Sequence, residues 1–173
     1  FNYMKFRNMA GFYLFDGEYV LLLYRVGSRV LRTPSWRNIG GHMEICDLND
    51  PLMAALRELK EETGIEREDI ENIRLKYVTL RYVNNEIRQN YYFFADVKES
   101  GKAIPDRCRE GTLEWVKSDV LFEREMPRSS RECLRHYLDV GKFNDSVYVM
   151  VSTGGLEDRR YDIVQLTPTI ENP

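Results

Sequence analysis

A chain of 173 residues, 43% hydrophobic and 31% charged, has the size and balance of one domain with a sizeable core. A net charge of −3 without a clustered basic excess argues against a nucleic-acid polymer as partner. No apolar run reaches bilayer length, and Phe1-Asn2-Tyr3-Met4-Lys5 lacks the basic-then-apolar layout of a secretion signal, so no membrane is expected and a cytoplasmic location is. Cys46, Cys108 and Cys133 are odd in number and far apart, against a disulfide framework or a cysteine zinc site. In chain order, apolar and aromatic residues from Lys5 to Leu14 and from Glu18 to Tyr24 flank Asp16-Gly17, the sequence of a tight hairpin. A polar loop follows to Ser35, then a short apolar stretch into Gly40-Gly41. Asp50-Pro51 opens a helix, because Asp caps free N–H groups and Pro suits the first helical turn. Gly64 closes it after Thr63. Strands are predicted over Ile73 to Val83 and Glu86 to Val97, joined by Asn84-Asn85, then at Thr112 to Val116. A helix follows from Ser129 to Val140, and the tail reads as a hairpin of Ser146 to Ser152 and Tyr161 to Leu166. The pattern predicts an α+β fold with a mixed sheet packed by helices, not a doubly wound parallel one.

Glu58, Glu61 and Glu62 stand at i, i+3 and i+4 of the first helix and therefore share a face. Three like charges there repel, with Arg57 as local compensation and Lys60 pointing elsewhere. A solvated acidic face is the ordinary explanation of E-x-x-E-E alone, whereas a hard divalent cation with oxygen ligands would neutralise the cluster. Just ahead, no acid falls between Glu18 and Glu44, while Arg25, Arg29, Arg32, Arg37 and His42 do, forming a positive strip suited to phosphate.

The run Arg57-Glu58-Leu59-Lys60-Glu61-Glu62-Thr63-Gly64-Ile65, preceded by Gly40-Gly41 and Glu44, resembles the signature G-x5-E-x7-R-E-U-x-E-E-x-G-U of the Nudix (MutT-type) hydrolases, with U a bulky aliphatic residue. The last nine positions match. The spacing from Gly41 to Arg57 is two residues longer than in the family, Cys46 and Ile39 replace a customary glycine and proline, and the mid-motif Glu is missing. Asp47 and Asp50 are its nearest substitutes for orienting Arg57.

The resemblance implies an α/β/α sandwich over residues 1–142, with 143–173 a C-terminal hairpin extension of the same domain. It implies Mg²⁺, with Mn²⁺ as a substitute, ligated by Glu58, Glu62 and the carbonyl of Gly40, and Glu61 serving a further ion or its waters. Arg57 takes a structural role at the catalytic helix, and Glu44 supports the metal cluster or the substrate. Arg25 and Arg37 are candidate phosphate contacts. The general base falls to Glu110 in Arg109-Glu110-Gly111, with Glu114 as rival. The implied activity is hydrolysis of a nucleoside diphosphate linked to another group, such as the (deoxy)nucleoside triphosphate 8-oxo-dGTP, with ADP-ribose or nucleotide sugars as alternatives. A sensor that binds without cleavage is the rival from another class. Trp36, Tyr13, Tyr24 and Tyr82 are each platform or core, and the terminal strand is free to pair in a homodimer or to close over the site.

Overall fold

The computed structural model describes residues 3–26, 33–154 and 158–166. Strand β1 (Lys5–Asp16) turns at Gly17 into antiparallel β2 (Tyr19–Arg25), as the Asp-Gly pair predicts. Strands β3 (Ser35–Arg37) and β4 (Ile39–His42) return against β2 and β1 respectively. Helix α1 (Pro51–Thr63) then begins at Asp50, whose side chain accepts from the Met53 N–H at 3.0 Å. It ends at Gly64, whose φ of 78° is a left-handed cap that a side chain would strain.

Strands β5 (Ile70–Val83) and β6 (Glu86–Val97) form the second hairpin, with Asn84 and Asn85 both at positive φ. After β7 (Arg107–Cys108) and β8 (Gly111–Lys117) comes α2 (Arg128–Asp139), then β9 (Val147–Thr153) and β10 (Arg160–Leu166). Among the described residues these strands form one mixed sheet in the order β10-β9-β5-β6-β1-β2-β8-β7, with β4 beside β1 and β3 beside β2. The tail hairpin is continuous with it, because β9 lies parallel to β5. No helix among the described residues is long and apolar enough to cross a membrane.

A helix covers each face, which is why β1 is apolar at consecutive positions rather than alternate ones. Phe12, Leu14, Leu21 and Leu23 face α1, where Ala54, Ala55 and Leu59 enter the core. Tyr13, Phe15, Val20 and Phe94 face α2 and meet Cys133, Leu134 and Tyr137. The chain is thus the α/β/α sandwich expected from the sequence. One apolar core holds α1 and the other holds α2, so the helices are fixed by burial rather than by their polar faces.

Cross-strand register orders the α2 face into rows. Gly11, Tyr92, Tyr77 and Tyr148 are neighbours across β1, β6, β5 and β9, and Tyr77 shares a 2.7 Å hydrogen bond with His136 of α2. The next row is Met9, Asn90, Thr79 and Met150, and the one after is Arg7, Arg88, Arg81 and Ser152. The face passes from aromatic to uncharged to cationic, and the last two rows floor a cleft of about 440 Å³ rimmed by Ser129 and Ser130 at the start of α2.

Candidate active site

The acidic end of this cleft is made where α1 crosses β4. Glu62 is only 6% exposed, its Oε2 accepts from the Gly40 N–H at 3.1 Å, and its buried Oε1 has no partner. Burial, with the Glu110 and Glu58 charges adding, pushes its pKa up to about 8. Glu58 is also raised, chiefly by burial and despite a 2.7 Å hydrogen bond from Arg57 Nη1. A Cβ at position 41 would lie 2.5 Å from the Glu58 carboxylate, so this carboxylate can approach the strand because residue 41 is glycine. Glu61 occupies the same helix face but is largely exposed, 3.8 Å from Arg57.

Arg57 organises the turn ahead of the helix. Its Nε and Nη2 donate to Asp47 Oδ2 at 3.3 and 3.0 Å, and Nη2 also donates to the His42 carbonyl at 3.1 Å. Burial opposes its charge, but the bonds to Asp47 and Glu58 outweigh that and hold its pKa above the ordinary arginine value. Asp47 ends a single 3-10 turn, Ile45–Asp47, and is 1% exposed. Of the two substitutes for the missing Glu, Asp47 therefore meets the arginine, while Asp50 is spent on the helix cap. The two extra residues fall between Asp47 and Arg57 and leave the helix untouched. Glu44 reaches Arg57 at 3.8 Å and lines the cleft.

Glu110 sits in the turn before β8 and faces the same cleft, ion-paired to Arg25 at 2.6 Å. Its rival Glu114 is engaged on both oxygens by Arg124, at 2.6 and 3.3 Å, and Arg124 in turn stacks over Trp36 at 4.8 Å. Arg37 and His42 line the cleft. Burial lowers the pKa of each. Arg29 and Arg32 lie outside the described residues.

None of the four candidate aromatic platforms lines the cleft. Tyr13 is buried under α2, Tyr24 packs on Trp36, and Tyr82 is 62% exposed on the outer surface. Tyr92 and Tyr161 line it instead, as do Arg7, Arg81 and Arg88, none of which stood out in the sequence. A signal existed for one pair. Arg81 and Arg88 are equidistant from the Asn84-Asn85 turn, so a correct hairpin places them opposite each other. Arg7 and Tyr161 carry no such signal, because parallel pairing and a terminal hairpin bring them in.

Among the described residues no three His, Cys, Asp or Glu side chains stand as a ready-made metal cage. The donors nevertheless suit a hard cation. The carboxylates of Glu58 and Glu62 converge on Gly40-Gly41, and a buried Oε1 lacks any partner.

The NUDIX domain family matches residues 5–137. Comparison with curated proteins gives no sequence match. Among solved structures, the mutator MutT protein from Bacillus halodurans is similar at 24% identity, covering 90% of this chain and 97% of its own, with a TM-score of 0.66. The MutT NUDIX hydrolase from Burkholderia pseudomallei is 22% identical, covering 76% and 97%, with a TM-score of 0.58. A C. elegans Ap4A hydrolase is 18% identical, covering 77% and 96%, with a TM-score of 0.60. With the fold, the helix-borne carboxylates and the family match in agreement, the chain belongs to the NUDIX family, hydrolases that act on diphosphate bonds of nucleoside diphosphate-linked substrates and generally use divalent metal ions.

Proposed function

We propose that this chain is a cytoplasmic, Mg²⁺-dependent pyrophosphohydrolase whose metal is held by Glu58, Glu62 and the Gly40 carbonyl, with Glu61 beside them and Mn²⁺ able to substitute. The observation that carries this is Glu62, whose buried and partly unpartnered carboxylate lies near two other carboxylates. Such a group is costly to bury unless a cation neutralises it. When bound, the metal screens the diphosphate, lowers the pKa of a water and stabilises the leaving phosphate. Glu110 takes the proton from the attacking water, which becomes the new oxygen on phosphorus while the other phosphate leaves. Arg25 and Arg37 grip phosphate oxygens. In the free protein Arg25 holds Glu110, so an arriving phosphate that takes over Arg25 also releases the base. Arg57 is structural, and fixes Asp47 with Glu44 nearby.

The substrate is a small nucleotide derivative: a (deoxy)nucleoside triphosphate such as 8-oxo-dGTP, or a conjugate such as ADP-ribose or a dinucleoside polyphosphate. Residues 143–173 are read as part of the same domain, and the outer edge of β10 is where a homodimer would pair, which sedimentation velocity tests. The test of function is a panel of these nucleotides with phosphate detection, on the wild type and on Glu61→Gln and Glu62→Gln. Mg²⁺-dependent turnover that both variants abolish, with folding intact, is the expected result. Tight nucleotide binding without turnover at any Mg²⁺ level would instead make the chain a sensor.

A further inference from the structure

We propose that Arg7, Arg88 and Arg81 form a second anion subsite, which binds a phosphate group on the part of the substrate remote from the bond that is cleaved. The proposal extends the hydrolase reading to a substrate class: nucleoside diphosphate derivatives whose far portion itself carries phosphate.

The three arginines are direct neighbours across β1, β6 and β5, with Arg7 opposite Arg88 and Arg88 opposite Arg81. Their strands lie about 4.8 Å apart, and like charges set directly opposite are destabilising. Among the described residues one carboxylate serves the row. Glu86 accepts from Arg88 at 2.6 Å and reaches Arg7 at 3.6 Å. Arg81 has no acidic partner among the described residues, and its Nε is buried without any hydrogen bond. Burial lowers its pKa, and Arg159 and Arg88 lower it further. Three guanidiniums with one neighbouring carboxylate leave the row short of negative charge, and a group with several acceptor oxygens at the cleft surface supplies it.

The surroundings fit that occupant. All three arginines line the cleft that also holds Glu58 and Glu110, with Ser152 and Tyr161 at the end of the row and Asn90 and Thr79 in the row before it. Asn90 donates to Thr79 at 3.1 Å and Met9 and Met150 flank them, so the floor between the two ends is uncharged. Gly41 pairs with Ala10, three residues along β1 from Arg7, which sets the row about 10 Å from the metal-side glycine at the usual rise per strand residue. A single phosphate chain gripped at Arg25 need not reach so far, whereas a substrate with a second phosphorylated end would. Arginine suits the task, since its planar fork binds phosphate through paired donors.

The test has two readouts. Calorimetry with inorganic pyrophosphate, without divalent cation, compares the wild type with the Arg81→Gln/Arg88→Gln double variant and with Arg25→Gln. The double variant is expected to lose affinity at one site by about tenfold or more, the loss typical of hydrogen bonds to a charged group. Arg25→Gln should leave that site intact. The double variant relieves like-charge contacts but gives up the Arg88–Glu86 bond, so its melting curve is measured alongside to establish that it is folded. Equal pyrophosphate binding by the folded double variant, or none by the wild type, overturns the subsite whatever the enzyme cleaves. In hydrolysis assays, KM should rise in the double variant only for panel members phosphorylated beyond the cleaved linkage, with kcat kept. If KM is unchanged for every cleaved member, the proposal also fails. A chain that cleaves nothing but loses pyrophosphate binding in the double variant refutes the hydrolase reading and keeps the subsite.

Discussion

The two ends of the cleft are built by different means. At the acidic end, Gly40, Gly41, Asp47, Arg57, Glu58 and Glu62 come from one contiguous stretch, and a helix turn plus one strand suffices to assemble them. At the cationic end, Arg7, Arg81, Arg88 and Ser152 come from four strands spread over most of the chain, and only the register of the sheet makes them neighbours. A local motif tolerates changes elsewhere, since its geometry is carried by helical periodicity and a few bonds. A register-built surface depends on every pairing between its members, and a one-residue slip turns its side chains to the other face.

The largest test of this contrast concerns Glu110, the one proposed catalytic group that the motif does not supply. Glu110→Gln should lower kcat by about 10² to 10⁴, the range for loss of a general base, while Glu114→Gln stays within a few-fold. A Glu110→Gln rate within a few-fold of wild type would return the acidic end wholly to the local motif. Next is Leu59→Ala, which empties a fully buried position where α1 meets the sheet and should cost about 2 to 5 kcal/mol in denaturant unfolding. Asp47→Asn weakens the hold on Arg57, and about 1.5 to 3 kcal/mol should be lost, with a weaker Mg²⁺ response in turnover. An unchanged melting curve would show that the His42 carbonyl and Glu58 hold Arg57 unaided. Smallest is Gly64→Ala, which forces a side chain into the left-handed cap and should cost about 1 to 2 kcal/mol without altering KM.

The same contrast decides what could be read from the sequence. Helix α1 was legible to the residue, because Asp50, Pro51 and Gly64 each have a physical reason to sit at a helix end. Both early hairpins were legible from Asp16-Gly17 and Asn84-Asn85. The choice between Asp47 and Asp50 needed the structure, because it turns on which side chain the 3-10 turn aims at Arg57. Aromatic placement was not legible either, since Tyr13 and Tyr92 carry similar side chains, both are buried against the α2 side, and only the three-dimensional packing brings Tyr92 to the cleft wall. The parallel pairings β1–β6 and β5–β9 left no local trace, and with them went the arginine row.

Lys76 gives the tail hairpin a further significance. Fully buried on β5, its ammonium donates to the carbonyls of Asn144 and Ser146, each at 2.8 Å, and so pins the segment that leads into β9. The family match stops at residue 137, yet Ser152 and Tyr161 beyond it line the cleft. The wall of the cleft that these two residues form is thus tethered through a buried ammonium on β5, a hold separate from the bonds that fix the α1 carboxylates.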